Sequence, residues 1–285
     1  MQLGSYAGRV IRKVKGPKYK SPPKNGDKYK IVGSWMYIDD KDSSQLTKNG
    51  QYNHEQTQLI KKLVKKKHTV LDIGAHIGYF TLIMAKQAKQ VYAFEPEARN
   101  FHILKKNIEL NKLSNVKLHN VAVAETNGKT TLHLCEMNRG MHRIYPSHWC
   151  KGGTAKIETV RIDDIIQEAD FIKMDIEGAE LGALKGMTKL LKKCDITVIM
   201  EFHPQSIEEY GAKPRDIYDL MRYLGYDIKL SKDSISFEQL EQIAKEKIGT
   251  NIICIPIRQK KTVGNPLFRI LTSRLSSPTT IVRDY

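Results

Sequence analysis

No stretch of this 285-residue chain approaches the ~18 consecutive apolar residues of a bilayer-spanning helix. The opening Met-Gln-Leu-Gly-Ser-Tyr lacks the apolar centre of a secretion signal. Cysteine is sparse. Cys135, Cys150, Cys194 and Cys254 stand far apart without CxxC spacing, which points to neither a zinc site nor a disulfide framework. A reducing, cytoplasmic setting is the simplest fit. Acids are also scarce, 31 against 47 Lys and Arg, for a net charge of +16. The deficit sits at the two ends: residues 1–67 carry +11 and residues 258–285 carry +5, while the stretch between them is balanced. Such ends suit a polyanion or a peripheral contact with an anionic membrane surface, or are simply solvated basic tails. Pro266–Leu275, apolar residues mixed with arginine, is open to the same two readings: resting on a membrane, or packing on its own core.

One absence is more telling. Val70, Leu71 and Ile73 read as a strand buried on both faces, and Gly74 and Gly78 bracket the turn after it. Apolar residues then recur at helical spacing from Ile77 to Ala88. A dinucleotide turn clusters three glycines around a pyrophosphate. Here the middle glycine is missing and His76 occupies its place. Asp72, two residues before Gly74, would repel pyrophosphate but could attract, directly or through water, the ammonium of S-adenosylmethionine. Glu95 closes the next strand, placed to accept hydrogen bonds from ribose hydroxyls. The ordered set Asp72, Gly74, Gly78, Glu95 therefore favours an adenosine cofactor, S-adenosylmethionine, over a structural glycine turn.

Strand and helix patterns alternate along the chain. Strands are predicted at 70–73, 91–95, 116–123, 171–176, 196–202, 226–231 and 250–256. Helices are predicted at 54–67, 77–89, 97–111, 179–192, 214–224 and 236–246, with a hairpin at 129–136. This pattern implies an α/β fold with a mostly parallel sheet covered on both faces. Seven strands fit, the last one antiparallel. Residues 1–30, rich in Lys, Pro and Gly, read as a basic arm; 31–257 as the catalytic domain; and 258–285 as a basic tail.

Residues 137–156 interrupt the alternation with a polar segment from which Arg139, His142, Arg143 and Tyr145 could bind a hydroxylated or anionic acceptor, as could His148 and Trp149. The phrase Lys173-Met174-Asp175-Ile176-Glu177-Gly178-Ala179-Glu180 ends another strand with acids at i and i+2, both leaving on one side. Three roles are open to Asp175: holding the cofactor's amino group, orienting the acceptor hydroxyl, or taking its proton. Glu201 and His203 follow at the next strand end, and both are candidates for the base. Asp175 and Glu177 would suit Mg²⁺, but no third oxygen ligand is evident, so no metal is expected.

On these residues the chain resembles the FkbM family of S-adenosylmethionine-dependent methyltransferases. The likeness rests on Asp72–Gly78, Phe94-Glu95-Pro96, Val160–Asp164, Lys173–Glu180 and Glu201-Phe202-His203, and runs from about Ile31 to about Leu230. The family usually has Asn where this chain has His76. The resemblance implies a class I Rossmann-like, doubly wound fold and O-methylation of sugar or natural-product hydroxyls. Carried over by position, Asp72, Gly74, Gly78 and Glu95 hold the cofactor, and Ala75, His76 and Asp175 are further candidates for the same site. Ala122 lies beside its adenine, and the segment containing Glu55 covers its methionine end. Arg139, His142, Arg143, Tyr145 and Glu177 are the candidate acceptor residues.

Two rival functions use the same residues. An RNA methyltransferase would explain the basic ends, but no Asn-Pro-Pro-Tyr type pocket or RNA-binding module appears. A non-catalytic adaptor would not need Asp72, Glu95 and Asp175 intact.

Overall fold

A computed structural model describes residues 26–230, 233–246 and 249–257. The arm up to residue 25 and the tail from 258, including Pro266–Leu275, lie outside the described residues. The fold itself begins inside the span expected to be an arm. Strand β1 (Lys28–Ile31) pairs antiparallel with β2 (Ser34–Tyr37). Tyr29 and Ile31 are buried and alternate with exposed Lys28 and Lys30, the period of a one-sided strand.

Helices α1 (Leu46–Asn49) and α2 (His54–Leu63) follow. Asn53 caps α2 by accepting the Gln56 N–H. This helix was expected to reach Lys67. It stops at Leu63 because Val64 turns into the core with extended backbone. The alternation then appears as read: β3 (Thr69–Ile73), α3 (Tyr79–Ala85), β4 (Gln90–Phe94), α4 (Ala98–Leu110) and β5 (Val116–His119). The strand expected over 116–123 breaks after His119. There the Asn120 carboxamide donates to the carbonyls of Glu95 and Pro96 and turns the chain out of the sheet.

The next strands form a separate small sheet. In it β6 (Ala122–Val123) and β7 (Gly128–His133) flank β8 (Thr154–Val160). The expected hairpin at 129–136 is therefore not local, since β7 pairs across a connection of some twenty residues. That connection is crosslinked by a Cys135–Cys150 disulfide, which corrects the reading of the cysteines. CxxC spacing does not detect cysteines that meet only because their segment folds back.

The chain returns to the main layers through α5 (Ile162–Ile165), β9 (Phe171–Met174), α6 (Glu180–Lys185), α7 (Thr188–Lys193) and β10 (Thr197–Phe202). One helix was expected where α6 and α7 stand. They divide at Gly186, which lies so close to the Ala124 carbonyl that a side chain would collide with it. Helices α8 (Pro204–Glu209) and α9 (Pro214–Tyr223) lead to β11 (Tyr226–Leu230), β12 (Asp233–Ser234), α10 (Phe237–Glu246) and β13 (Thr250–Pro256). Helix α8 was not anticipated, although His203-Pro204 is a cap followed by proline at the first helical position.

The main sheet runs β12-β11-β13-β10-β9-β3-β4-β5. Strands β10, β9, β3, β4 and β5 are mutually parallel, and β13 is antiparallel to both its neighbours. The seven expected strands are present, with the two-residue β12 as an eighth at the edge. Successive residues of the central strands feed opposite cores: Leu71, Ile73, Ile172 and Met174 pack on the face of α6, α7 and α9, while Val70 and Phe171 pack toward α2 and α3. Burying one such side chain is worth about 1.5–3 kcal/mol. Strand order reverses at β3, which lies between β4 and β9, and that is where a ligand crevice opens.

Candidate active site

The crevice starts at the end of β3. The Gly74 and Ala75 N–H groups both donate to the Phe94 carbonyl, 3.0 Å each, tying the turn to β4. Gly74 has φ +79°, and any Cβ there would run into the Asp175 carbonyl. Gly78 has φ +95°, and its missing side chain makes room for Leu104. Gly78 and Ala75 thus serve packing and turn geometry, and neither lines the cavity that follows.

That cavity is walled by Gly74, His76, Glu95, Asn100, Ala122, Arg139, His142, Asp175 and Glu177. It holds about 600 Å³ counting its open mouth. Glu95 is buried, and its carboxylate accepts the N–H groups of His76 and Glu97, 2.9 Å each. Burial pushes its carboxyl up to about 7, against the pull of those donors. His76 sits at φ +50°, and burial drives its imidazole down to about 4. Three buried polar atoms of the wall, His76 Nε2, Asn100 Oδ1 and His142 Nε2, have no hydrogen-bond partner among the described residues. A ligand bearing hydroxyls and amines satisfies such groups, so this wall fits an adenosine-type donor.

Asp72 is placed differently from the expectation. Its side chain leaves β3 toward α3, fully buried, where the Thr81 hydroxyl donates to it and Lys173 Nζ lies 3.9 Å away. It supports the turn from beneath and does not face the cavity. Burial raises its carboxyl, with Lys173 opposing. Glu55 is exposed on the first turn of α2, also off the cavity wall.

Asp175, Glu177 and Glu201 come together, with carboxylate oxygens all within 4.8 Å of one another. The third oxygen ligand that the sequence did not reveal is therefore Glu201, carried in from the neighbouring strand. Burial pushes Glu177 up to about 8, and Asp175 adds to the shift. Glu201 is raised well above the usual carboxylate range by burial and by the same neighbours. Lys173 provides the counter-charge, with Nζ 3.5 Å from Asp175 and 3.2 Å from the Gly74 carbonyl. It stays charged despite burial because Asp175 and Asp72 pull its pKa up.

His203, the third candidate base, caps α8: its Nδ1 accepts the Ser206 N–H at 3.3 Å. Among the candidate acceptor residues, Arg139 and His142 line the cavity with Glu95. Arg143 is buried, pairing with Glu209 at 2.8 Å and Glu177 at 3.3 Å. The Tyr145 hydroxyl donates to the Glu177 carbonyl at 2.7 Å. These two residues brace the Glu177 loop, and neither lines the cavity. Sequence reasoning missed Lys173 and Tyr52. A lysine inside the otherwise apolar Phe171–Met174 was the available signal for the first. Tyr52 had none, since only folding brings it within the field of Asp175, Glu201 and Glu177, which with burial raise its hydroxyl.

Strand order, glycine turn and acid-ended strands together define a class I methyltransferase that uses S-adenosylmethionine. Residues 72–228 match the methyltransferase FkbM domain, and the chain belongs to that family. The methyltransferase sdnD of Sordaria araneosa is 26% identical over 214 residues, 62% of this chain and 81% of that protein. The hexuronic acid methyltransferase AglP of Haloferax volcanii is 24% identical over 181 residues, 61% of this chain and 70% of that protein. The solved structure of a methyltransferase FkbM from Methylobacillus flagellatus is 20% identical with a TM-score of 0.43, covering 67% of this chain and 44% of that one.

Proposed function

We propose that this methyltransferase acts on oxygen, at a hydroxyl of a sugar or natural-product-like acceptor. The carrying observation is the seam at Asp175, which lines the donor cavity and also belongs to the three-carboxylate cluster. S-adenosylmethionine supplies an electrophilic methyl on a positively charged sulfur. Glu95 would hold its ribose, Ala122 would leave room for its adenine, and the acid cluster would complement its charge.

An alcohol must lose its proton as the oxygen is alkylated. To Asp175, which clusters with Glu201 and Glu177, we assign the orienting of that hydroxyl and the receipt of its proton, with Glu201 and His203 as the alternatives. Lys173 holds the Asp175 carboxylate against the donor loop, so that the two reacting partners meet as a near-attack pair. Such alignment is worth up to about 7–11 kcal/mol. The hexuronic acid methyltransferase among the relatives supports a sugar-type acceptor.

The test is incubation with methyl-labelled donor and an extract fractionated into small molecules, glycan, lipid, RNA and protein. Label in glycan or small-molecule fractions is expected, and label confined to RNA would overturn the reading.

A further inference from the structure

A second cleft is formed around the end of α1 and the loop that leads into α2. It holds about 620 Å³ counting its open mouth, against about 600 Å³ for the donor cavity. Every side chain on its wall is a hydroxyl, a carboxamide or a phenol, Ser43, Gln45, Asn49, Gln51, Asn53 and Tyr52 among them. Among the described residues no charged side chain lines it. The carboxamides of Gln45 and Asn49 make no hydrogen bond to protein among the described residues, which leaves both their donors and their acceptors for a ligand.

We propose that this cleft seats a neutral, hydroxyl-rich sugar unit of the acceptor, a proposal that rests on the O-methyltransferase reading above. Carboxamides and hydroxyls both donate and accept, as a sugar's hydroxyls require. A carboxylate or phosphate would find no counter-charge on the described wall. Tyr52 adds an apolar ring face against which the C–H face of a pyranose packs. Its ring is held edge-on to Tyr79 and Phe80, with centroids 6.2 and 6.0 Å away, yet it remains 39% exposed.

One contact joins the cleft to the donor cavity. The Ser43 hydroxyl accepts the Arg139 N–H at 2.8 Å, and Arg139 lines the donor cavity. Tyr52 lies close enough to Asp175, Glu201 and Glu177 for their charges to act on its hydroxyl.

The experiment is saturation-transfer NMR on the full chain with S-adenosylhomocysteine present. The probes are methyl glycosides of glucose, galactose, mannose and rhamnose, and of glucuronate and galacturonate. At least one neutral glycoside is expected to receive transfer, and both uronates to bind more weakly. Asn49→Ala, an exposed position, and Tyr52→Leu should each weaken the neutral sugar roughly three- to ten-fold, the worth of one lost contact. Tyr52→Phe should keep most of the affinity. The idea is overturned by a lack of transfer to any neutral glycoside, by uronates binding as well, or by unchanged binding in both Asn49→Ala and Tyr52→Leu. Calorimetric titration with S-adenosylmethionine runs alongside. Loss of that binding in the wild type would instead count against the methyltransferase reading.

Discussion

The Lys173 ammonium lies 3.5 Å from the Asp175 carboxylate, inside a strand whose other residues are apolar and buried. The same nitrogen lies 3.9 Å from Asp72, so one buried cation balances an acid of the donor turn and an acid of the reaction site. Replacing it leaves Asp72 buried without a counter-charge. Lys173→Met is expected to cost about 3–5 kcal/mol, the usual result of removing one partner of a buried pair, measured by urea unfolding. An unchanged midpoint would show that Asp72 is already neutral.

Asp175→Asn keeps the shape of the site and removes its basicity. Turnover is expected to fall by about 10²-fold or more, the range for losing a positioned base. Single-turnover transfer of labelled methyl measures it. Near-normal turnover would move the role to Glu201.

Stability should depend on pH in a direction the buried glutamates fix. Glu95 and Glu180 are pushed up to about 7 and Glu177 to about 8 by burial, from an ordinary 4.5. Their folded values exceed the unfolded ones, so the folded state binds the extra protons. Their contribution is full below 4.5 and is lost as pH rises through 7 to 8. His76, lowered by burial from 6.5 to about 4, acts the opposite way, stabilising above 6.5 and less as pH falls through 4. The melting temperature of the donor-free protein is therefore expected to drop from about pH 6.5 to about pH 8. Glu177→Gln should flatten the upper part of that fall. A flat profile in the wild type would contradict these shifts.

Gly74→Ala meets two penalties: a left-handed backbone, worth about 1–2 kcal/mol, and collision with the Asp175 carbonyl. Gly26→Ala is the control, with φ +94° but nothing within 4 Å. Thermal unfolding and donor titration are expected to show a small shift for Gly26→Ala and loss of donor binding for Gly74→Ala. Equal behaviour of the two would show that the loops can part.

The three clustered carboxylates could take a divalent ion, yet Lys173 already supplies a positive charge beside them. Treatment with EDTA is expected to leave the rate of methyl transfer within about two-fold, the small effect of removing a weakly held ion. A rate abolished by EDTA and restored by Mg²⁺ would make Asp175, Glu177 and Glu201 metal ligands.

Much of the fold was legible because its signals are local. Buried strands such as Val70–Ile73 and the acid after Phe94 stand out within a few residues. What stayed hidden depends on distant partners. The pairing of β7 with β8, the Cys135–Cys150 bridge and the meeting of Glu201 with Asp175 all join segments separated by loops or helices. Arg143 looked like a ligand-binding arginine because charge in a loop is usually solvated; only its burial between Glu177 and Glu209 shows it as a brace. The orientation of Asp72 followed from strand alternation and was readable, had the face of Thr81 been known.

Because a side chain at Gly74 would run into the Asp175 carbonyl, the glycine turn and the Asp175 loop cannot drift apart independently. A change in the length of either loop must reshape the other in the same step.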